Sequence, residues 1–470
     1  MNETSDGNRA PASGATQGLR ARMLRAAGWL AGASATAQLL RLASNLVLTR
    51  LLVPEAFGLV AAVSTFYVAL VMVSDLGIWQ SVVRSHRADD PRFLGTAFTL
   101  QCLRGLLLAL GVLGLALALR LAADAGGFAP GTVYADPRLP AMTAVFALCA
   151  LLQGAESIRL ATAQRELRTG QLARLEITSQ IVGTVFTVAL AWGTRSVWAL
   201  PAGAVVAAAA RTLLSHRLPG PPAPPCWDRE AARELVGFGK WIVVSSLVGF
   251  LASQGEKLLL GATLNITGFG VFSIASALLG AATAVYATVN GHLIFPGLSL
   301  AMREGAEATR RVYGRVQQAT DLLLGTLAGA AMTAGHWAVW LLYDDRYAAA
   351  GWMLQWLAPG LLAMRMQVVE QLMFARGRPG LVVTNNAVRA ALLALLVPAG
   401  YSVAGEQGAV AAVALAQFAG WPLSMAFRRV AGLPGWRAER WWLPALCAGM
   451  AAGWALDALL EFALGAPGAR

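Results

Sequence analysis

Five basic side chains lie inside long apolar stretches, where an ionised group needs water or a polar partner. They are Arg41, Arg104, Lys257, Arg365 and Arg389. Such groups suit an anion, because the arginine fork donates paired hydrogen bonds to phosphate or carboxylate oxygens. Charges at membrane depth usually face a polar interior. We therefore predict a cationic cavity that holds an anionic headgroup, with Lys257 at its rim.

Three acids fall nearest to these cations in depth: Glu176, Glu256 and Glu370. They are too few to neutralise all five cations. Considered alone, each cation could equally have a structural role, in which it pairs with an acid or a backbone carbonyl and holds two helices together. The acids themselves are consistent with carrying a coupling proton or with simple pairing, because both roles have the same sequence pattern.

No other residue pattern indicates catalysis, a metal or a cofactor. The four histidines are scattered, and no two cysteines form a CxxC pair. Asp344 and Asp345 adjoin in a short loop, which is typical of a solvated turn. We expect no catalytic residues, no metal site, no cofactor and no disulfide framework.

The composition places these residues in a membrane protein. The chain has 470 residues, of which 57% are hydrophobic and 13% charged, with a mean hydropathy of +0.57. Soluble domains carry about 25% charged residues. A water-soluble enzyme and a disordered chain are therefore disfavoured. The net charge is +12, 35 of the 37 basic residues are arginine, and most of the positive charge lies in short loops between apolar runs. This distribution indicates membrane topology and not nucleic-acid binding.

Thirteen apolar runs have the length of a membrane-spanning helix. They cover about 29–50, 56–83, 93–120, 139–160, 172–193, 196–215, 237–262, 268–295, 319–343, 350–374, 380–402, 408–427 and 441–464. The predicted fold is an all-α polytopic membrane protein with two pseudo-symmetric six-helix bundles around a central cavity and one extra C-terminal helix. The predicted parts are a polar cytoplasmic tail (1–24), a first bundle (25–215), a Pro-rich linker (216–236), a second bundle (237–428) and the extra helix (441–464).

The basic residues also predict the orientation. With the N-terminus in the cytoplasm, 26 of them lie on the cytoplasmic side and 6 on the other side. Short cytoplasmic loops carry this excess in membrane proteins. We therefore expect a cytoplasmic N-terminus in a multi-pass protein of a bacterial inner membrane.

An internal repeat appears when the sequence is shifted by 212 residues. The shift places Trp29 on Trp241 and the pair Phe57-Gly58 on Phe269-Gly270. The match relates the first two runs to the seventh and eighth, across the Pro-rich linker. Six helices per half keep both halves in the same orientation, so the predicted relation is a rotation about the membrane normal.

The stretch from Ala26 to Ser85 resembles the Wzx-type polysaccharide flippases, the oligosaccharide flippase family of the multidrug/oligosaccharidyl-lipid/polysaccharide exporter superfamily. The resemblance is carried by Asn45, by the corner Arg50-Leu-Leu-Val-Pro54-Glu-Ala-Phe-Gly58 and by Asp75-Leu-Gly77. It implies transport of a lipid-linked oligosaccharide, usually on undecaprenyl diphosphate, for surface polysaccharides such as lipopolysaccharide or exopolysaccharide. It also implies that Arg41, Arg104, Arg365 and Arg389 are counterparts of the cavity arginines that face the diphosphate. The family commonly has 12 or 14 helices, so a count of 13 is a departure.

Four functions compete at this stage. The first is a flippase acting by alternating access, with lipid-linked oligosaccharide and membrane lipid as its partners and polymerases and glycosyltransferases as possible neighbours. The second is a multidrug or cation antiporter of the same superfamily, which needs acids to dominate the cavity. A membrane polysaccharide polymerase or ligase needs a catalytic base, and the 121–138 loop contains no histidine. A structural scaffold would not retain several intramembrane arginines.

Overall fold

The computed structural model describes residues 32, 34–75, 77–87, 89–166, 168–221, 223–237, 239–433 and 440–464. The predicted tail at 1–24 lies outside these residues. The described chain is almost entirely helical, and its only extended pairing is an isolated bridge between Thr132 and Asn265. The all-helical membrane fold expected from the hydropathy is therefore confirmed.

The first half of the chain, residues 34–216, contains eight helices. Helix α1 covers residues 34–51. The others are α2 (Pro54–Val73), α3 (Ile78–Arg84), α4 (Pro91–Asp124), α5 (Leu139–Gly154), α6 (Arg159–Arg165), α7 (Thr169–Thr194) and α8 (Ala199–His216). A short helix, α9 (Arg229–Gly237), follows the Pro-rich linker.

The second half, residues 239–430, begins with α10 (Gly239–Thr263) and α11 (Ile266–Val289). A five-residue π-helix joins α11 to α12 (Phe295–Glu304). Then come α13 (Ala306–Leu342), α14 (Ala350–Leu357), α15 (Gly360–Ala363), α16 (Gln367–Ala375), α17 (Pro379–Ala416) and α18 (Trp421–Val430). The chain is described up to the end of α19 (Trp442–Leu464).

Within the described residues, each of the thirteen predicted runs coincides with helical chain, but several runs are broken. The second run divides into α2 and α3 at Gly77, which has φ 66° and so adopts a conformation that glycine tolerates. The fourth divides into α5 and α6, which are bent by 60°. Helix α17 joins the eleventh and twelfth runs through a kink at Ala404 and Gly405, where Gly405 has φ 59°.

Seven helices of the described chain are long and apolar enough to cross a membrane, or eight if the bent α5–α6 pair is one span. This number is lower than thirteen partly because α14, α15 and α16 are short pieces of one run and because α17 and α18 together qualify as a single 52-residue stretch. In addition, α1, α8 and α10 are not among the qualifying helices. Length and composition of single helices therefore do not fix the number of crossings.

The loops gather at two faces. The arginine-poor face contains the connections around residues 51–53, 125–138, 195–198, 264–265, 343–349 and 404–405. Tyr347 and Leu52 meet there across the two halves. The arginine-rich face contains the loops around 85–90, 166–168 and 217–228. Salt bridges such as Arg87 to Asp228, at 3.3 Å, join its loops.

The Pro-rich linker is fixed to the first half. Arg159 donates to the carbonyl oxygens of His216 and Leu218, both at 3.1 Å. Helix α9 buries Ala231 and Leu235 against α3 and α4. Arg87 also pairs with Asp90, and the pKa of that carboxyl is lowered, chiefly by the hydrogen bond it accepts from the Arg92 backbone N–H. The linker therefore belongs structurally to the first half.

Candidate functional site

A cavity of about 500 Å³ opens between the two halves and is lined by α1, α2, α10 and α11. Arg41 of α1 and Lys257 of α10 are its cationic side chains. Arg41 is exposed and Lys257 is half-buried. Neutral polar groups complete the lining: Gln38, Asn45, Ser253, Gln254, Ser273, Ser276 and Thr283. No acidic side chain is among the described residues that line this cavity.

Residues related by the 212-residue shift face this cavity together. Arg41 and Ser253 are one such pair, and Asn45 and Lys257 are another. Leu42 with Gln254 and Ala61 with Ser273 behave in the same way. Residues at equivalent positions share one cavity when it lies near the axis relating the repeats. The two cations thus come from opposite halves, at positions one helical turn apart in the repeat.

A second, smaller pocket adjoins the first inside the second half. It has a volume of about 220 Å³ and is lined by Glu256, Gln367, Arg389 and Gln417, together with Ser276, Gly280 and Thr283, which also line the central cavity. The buried Nε of Arg389 donates no hydrogen bond among the described residues. Glu256 accepts a hydrogen bond of 3.4 Å from the Gln417 amide. This pocket combines one cation, Arg389, with one acid, Glu256.

Glu370 lies at the far end of the same polar region. It accepts a 2.7 Å hydrogen bond from the Asn385 amide, and both residues line a pocket of about 150 Å³ with Arg389. The Asn385 side-chain oxygen is buried without a partner among the described residues. Arg389 therefore lies in a region with Glu256 and Glu370, and apart from Arg41 and Lys257.

Arg104 has a different position from the other cations. Its Nε donates to the Ser74 carbonyl oxygen at 2.8 Å and its Nη2 donates to the Val71 carbonyl oxygen at 2.9 Å. Those carbonyls end helix α2, where backbone oxygens lack helical partners and a positive charge is favourable. Arg104 thus joins α4 to the end of α2, and it is not among the residues that line the central cavity.

The expectation that Arg365 faces a water-filled space is wrong. Its side chain is 1% exposed and makes a two-pronged ion pair with Asp321 of α13, with bonds of 2.8 and 3.0 Å. The guanidinium also lies over the rings of Trp421 and Trp442. A buried guanidinium with a carboxylate partner is satisfied inside the protein, so Arg365 does not share a cavity with Arg41.

Glu176 is also remote from the central cavity. It pairs with Arg211 of α8, which at the same time donates to Glu156 at 2.8 Å. This cluster joins α7, α8 and the end of α5. Arg211 lies within the predicted run 196–215 and is part of helix α8. The pairing alternative for Glu176 therefore matches its geometry.

Two parts of the site escaped sequence reasoning. Asp321 lies near the start of the ninth apolar run and 44 residues from its partner in the sequence, so only the packing of α13 on the Met364–Met366 turn brings them together. The hydroxyls and amides of Ser253, Gln254 and Ser273 are ordinary residues in an apolar helix. The repeat was a usable signal, because the mates of Ser253 and Gln254 lie in α1, the helix that carries Arg41, and the mate of Ser273 lies in α2.

The chain is similar to known proteins in sequence and in fold. Residues 47–350 match the family model described as "Polysaccharide biosynthesis protein". No curated protein matches the chain significantly. Among solved structures, the lipid II flippase MurJ in an inward closed conformation has a TM-score of 0.70 at 9% identity, covering 93% of this chain and 99% of that one.

Two further solved structures, both described as transporters of the MOP superfamily, are similar. A multidrug resistance MATE family transporter in an inward-facing conformation has a TM-score of 0.68 at 12% identity, covering 84% of this chain and 94% of that one. A MOP superfamily transporter from Pyrococcus furiosus, described as having a binding pocket of reverse polarity, has a TM-score of 0.60 at 13% identity, covering 87% and 95%. At these identities the likeness establishes a transporter fold.

Proposed function

The chain belongs to the polysaccharide biosynthesis protein family, and we propose that it is a flippase for a lipid-linked oligosaccharide. Its substrate is a glycan carried on a polyprenyl diphosphate such as undecaprenyl diphosphate. The observation that carries the proposal is the central cavity, where Arg41 and Lys257 approach from opposite halves and acids are absent from the described lining. An anionic headgroup fits this charge pattern.

The neutral part of the lining suits the sugar. Hydroxyl and amide groups from residues such as Gln38, Asn45 and Ser253 can exchange hydrogen bonds with carbohydrate hydroxyls. The diphosphate would accept hydrogen bonds from the Arg41 guanidinium and the Lys257 ammonium. The polyprenyl chain would stay in the lipid while the headgroup crosses through the cavity. No covalent step is needed, so the proposed activity is transport and not catalysis.

Alternating access supplies the movement. The first bundle (25–215) with its attached linker would rock against the second bundle (237–428) about the central cavity. The protein would lie in the inner membrane of a bacterium. The excess of arginine on one face supports an orientation in which that face and the N-terminus are in the cytoplasm. Partner polymerases and glycosyltransferases would then consume and supply the lipid-linked glycan on the two sides.

The remaining charges have separate proposed roles. Arg389 is the third anion-binding candidate because its pocket adjoins the central cavity. Glu256 and Glu370 are the candidates for a coupling proton or for balancing Arg389. We assign Arg104 and Arg365 to holding helices together, since their hydrogen bonds go to α2 carbonyls and to Asp321.

The alternative is a multidrug or cation antiporter of the same superfamily. A cationic substrate favours a cavity in which acids dominate, and here the acids Glu256 and Glu370 lie in the adjoining pockets together with Arg389. The central cavity contains only positive charge among its described lining residues. The flippase therefore accounts better for the charge of the central cavity.

The test uses a strain in which the gene is deleted and replaced by variants. Arg41→Ala and Lys257→Ala should reduce surface polysaccharide and cause lipid-linked glycan to accumulate, with normal amounts of the transporter in the membrane. Arg120→Ala is the matched control, because that side chain is exposed on the arginine-poor face. Normal export by both cavity variants would refute the proposal. Changed drug susceptibility with unchanged polysaccharide would favour the antiporter.

A further inference from the structure

Residues of the family-like corner 50–58 touch their own repeat mates in the second half. The Thr267 hydroxyl donates a 2.6 Å hydrogen bond to the Glu55 carboxylate, and these two residues are 212 positions apart. Gly58 and Gly270 are also 212 positions apart, and a Cβ on Gly58 would lie 3.1 Å from the Gly270 nitrogen. Equivalent residues of two repeats can touch only close to the axis that relates the repeats, so these contacts place that axis at this corner.

Two tyrosines extend this contact in both directions. Tyr134, in the loop between α4 and α5, donates a 2.9 Å hydrogen bond to the Leu258 carbonyl oxygen of α10. Tyr347, in the corresponding loop between α13 and α14, donates a 3.0 Å hydrogen bond to the Leu52 carbonyl oxygen. Each half therefore sends one tyrosine to the backbone of the other half, and both bonds lie toward the arginine-poor face.

Two further hydrogen bonds to backbone carbonyl oxygens also join the halves. The Ile266 N–H donates to the Gly131 carbonyl oxygen at 2.9 Å, and Arg346 donates to the Thr49 carbonyl oxygen at 3.0 Å. All of these bonds join the two halves, and we call them together the clasp. The clasp lies between the central cavity and the arginine-poor face, because Lys257 and Asn45 line the cavity while Leu258, Thr49 and Leu52 take part in the clasp.

We propose that the clasp is the gate that closes the cavity toward the arginine-poor face, with Glu55–Thr267 as its polar latch and Gly58–Gly270 as its seal. The corner motif then has a function beyond turning the chain. Gly270 is needed because a Cβ there would overlap the Pro54 carbonyl, so the halves could no longer meet, and a Cβ on Gly58 would lie only 3.0 Å from the Ile266 carbonyl oxygen. Release on that side requires the clasp to open, and this role rests on the proposed flippase function.

Cross-linking tests the latch. The background is a protein in which all four cysteines are replaced by serine: Cys102, Cys149, Cys226 and Cys447. In this background, the double variant Glu55→Cys with Thr267→Cys should be cross-linked by a short bifunctional thiosulfonate reagent. The cross-linked protein should lose export, and a reductant should restore it. The matched control is Asn265→Cys with Glu406→Cys, because those side chains meet at 3.3 Å on the same face but within one half. The control should cross-link and keep exporting. Equal export by both cross-linked proteins would overturn the proposal.

A second measurement needs no substrate. A Ser253→Cys reporter in the cavity should be protected from a membrane-impermeant maleimide added at the arginine-poor side. Adding Gly270→Ala should raise its labelling several-fold, since the gate cannot close, whereas Gly255→Ala should not, because a Cβ there meets only Leu393 at 3.8 Å. Unchanged labelling with Gly270→Ala would overturn the gate. If labelling depends on Gly270 as predicted but deletion of the gene leaves polysaccharide export unchanged, the gate stands and the flippase function alone is refuted.

Discussion

Arg365 and Asp321 form a two-pronged ion pair with bonds of 2.8 and 3.0 Å, and their side chains are 1% and 0% exposed. The pair joins α13 to the turn before α16. Asp321 also accepts a 2.7 Å hydrogen bond from Gln317. Two opposite charges buried together this completely act as a structural unit, because loss of either partner leaves the other charge without compensation.

Arg365→Ala should therefore destabilise the protein by about 3–5 kcal/mol, the usual cost of leaving a buried charge unpaired. The measurement is thermal unfolding of the purified protein in detergent, with membrane protein amount as a second readout. The double variant Arg365→Met with Asp321→Leu should recover much of that loss. A single variant that unfolds normally but fails to export would contradict the structural role.

Arg104→Ala should lower stability by about 1–3 kcal/mol, since the carbonyls that end α2 lose charge-assisted hydrogen bonds. Arg104→Lys should restore part of this stability, because an ammonium can reach a carbonyl but lacks the guanidinium fork. Unfolding temperatures in detergent measure both effects. A normal unfolding temperature together with lost export would instead place Arg104 in substrate binding.

The additional helix α19 should depend on close backbone contact with α13. A Cβ on Gly449 would overlap the Thr326 carbonyl, and Trp337 donates a 2.5 Å hydrogen bond to Asp457. Gly449→Leu should therefore weaken this packing, lower the unfolding temperature and increase protease cleavage between α18 and α19. Gly111→Leu is the control, because nothing lies within 4 Å of a Cβ at that position. Equal stability of the two variants would disagree with this packing.

Reporter fusions test the orientation. Fusions after Arg315 and Arg378 should report the cytoplasm, and fusions near Ala125 and Asp345 should report the opposite side. The expectation follows from the 26 to 6 distribution of basic residues in the sequence. A reversed pattern would invert the proposed direction of transport while leaving the cavity itself unchanged.

The hydropathy pattern predicted the helices because twenty apolar residues can be accommodated only as a helix in lipid. It did not predict where those helices break, since the breaks depend on local turns such as Gly77 and Gly405. The prediction that all five cations line one cavity does not fit the positions of Arg104 and Arg365, for a related reason. Depth along a helix was readable from the sequence, but the direction in which Arg365 or Arg104 points depends on neighbours far away in the chain.

The repeat carried more information than its few identities suggested. Arg41 and Lys257 do not align with each other, yet their mates Ser253 and Asn45 line the same cavity. Contacts such as Glu55 with Thr267 could not be predicted from either copy alone, because they exist only where the two halves meet. The charge and polarity of the cavity therefore required the three-dimensional packing.

The central claim is that Arg41 and Lys257 together hold a diphosphate, and binding to the purified protein in nanodiscs tests it most directly. The wild type should bind undecaprenyl diphosphate at least 100-fold more tightly than neutral undecaprenol, because each charge-assisted hydrogen bond contributes about 1.5–3 kcal/mol. Arg41→Ala with Lys257→Ala should abolish most of this preference, and Arg120→Ala should keep it. A double variant that retains the full preference would contradict the account.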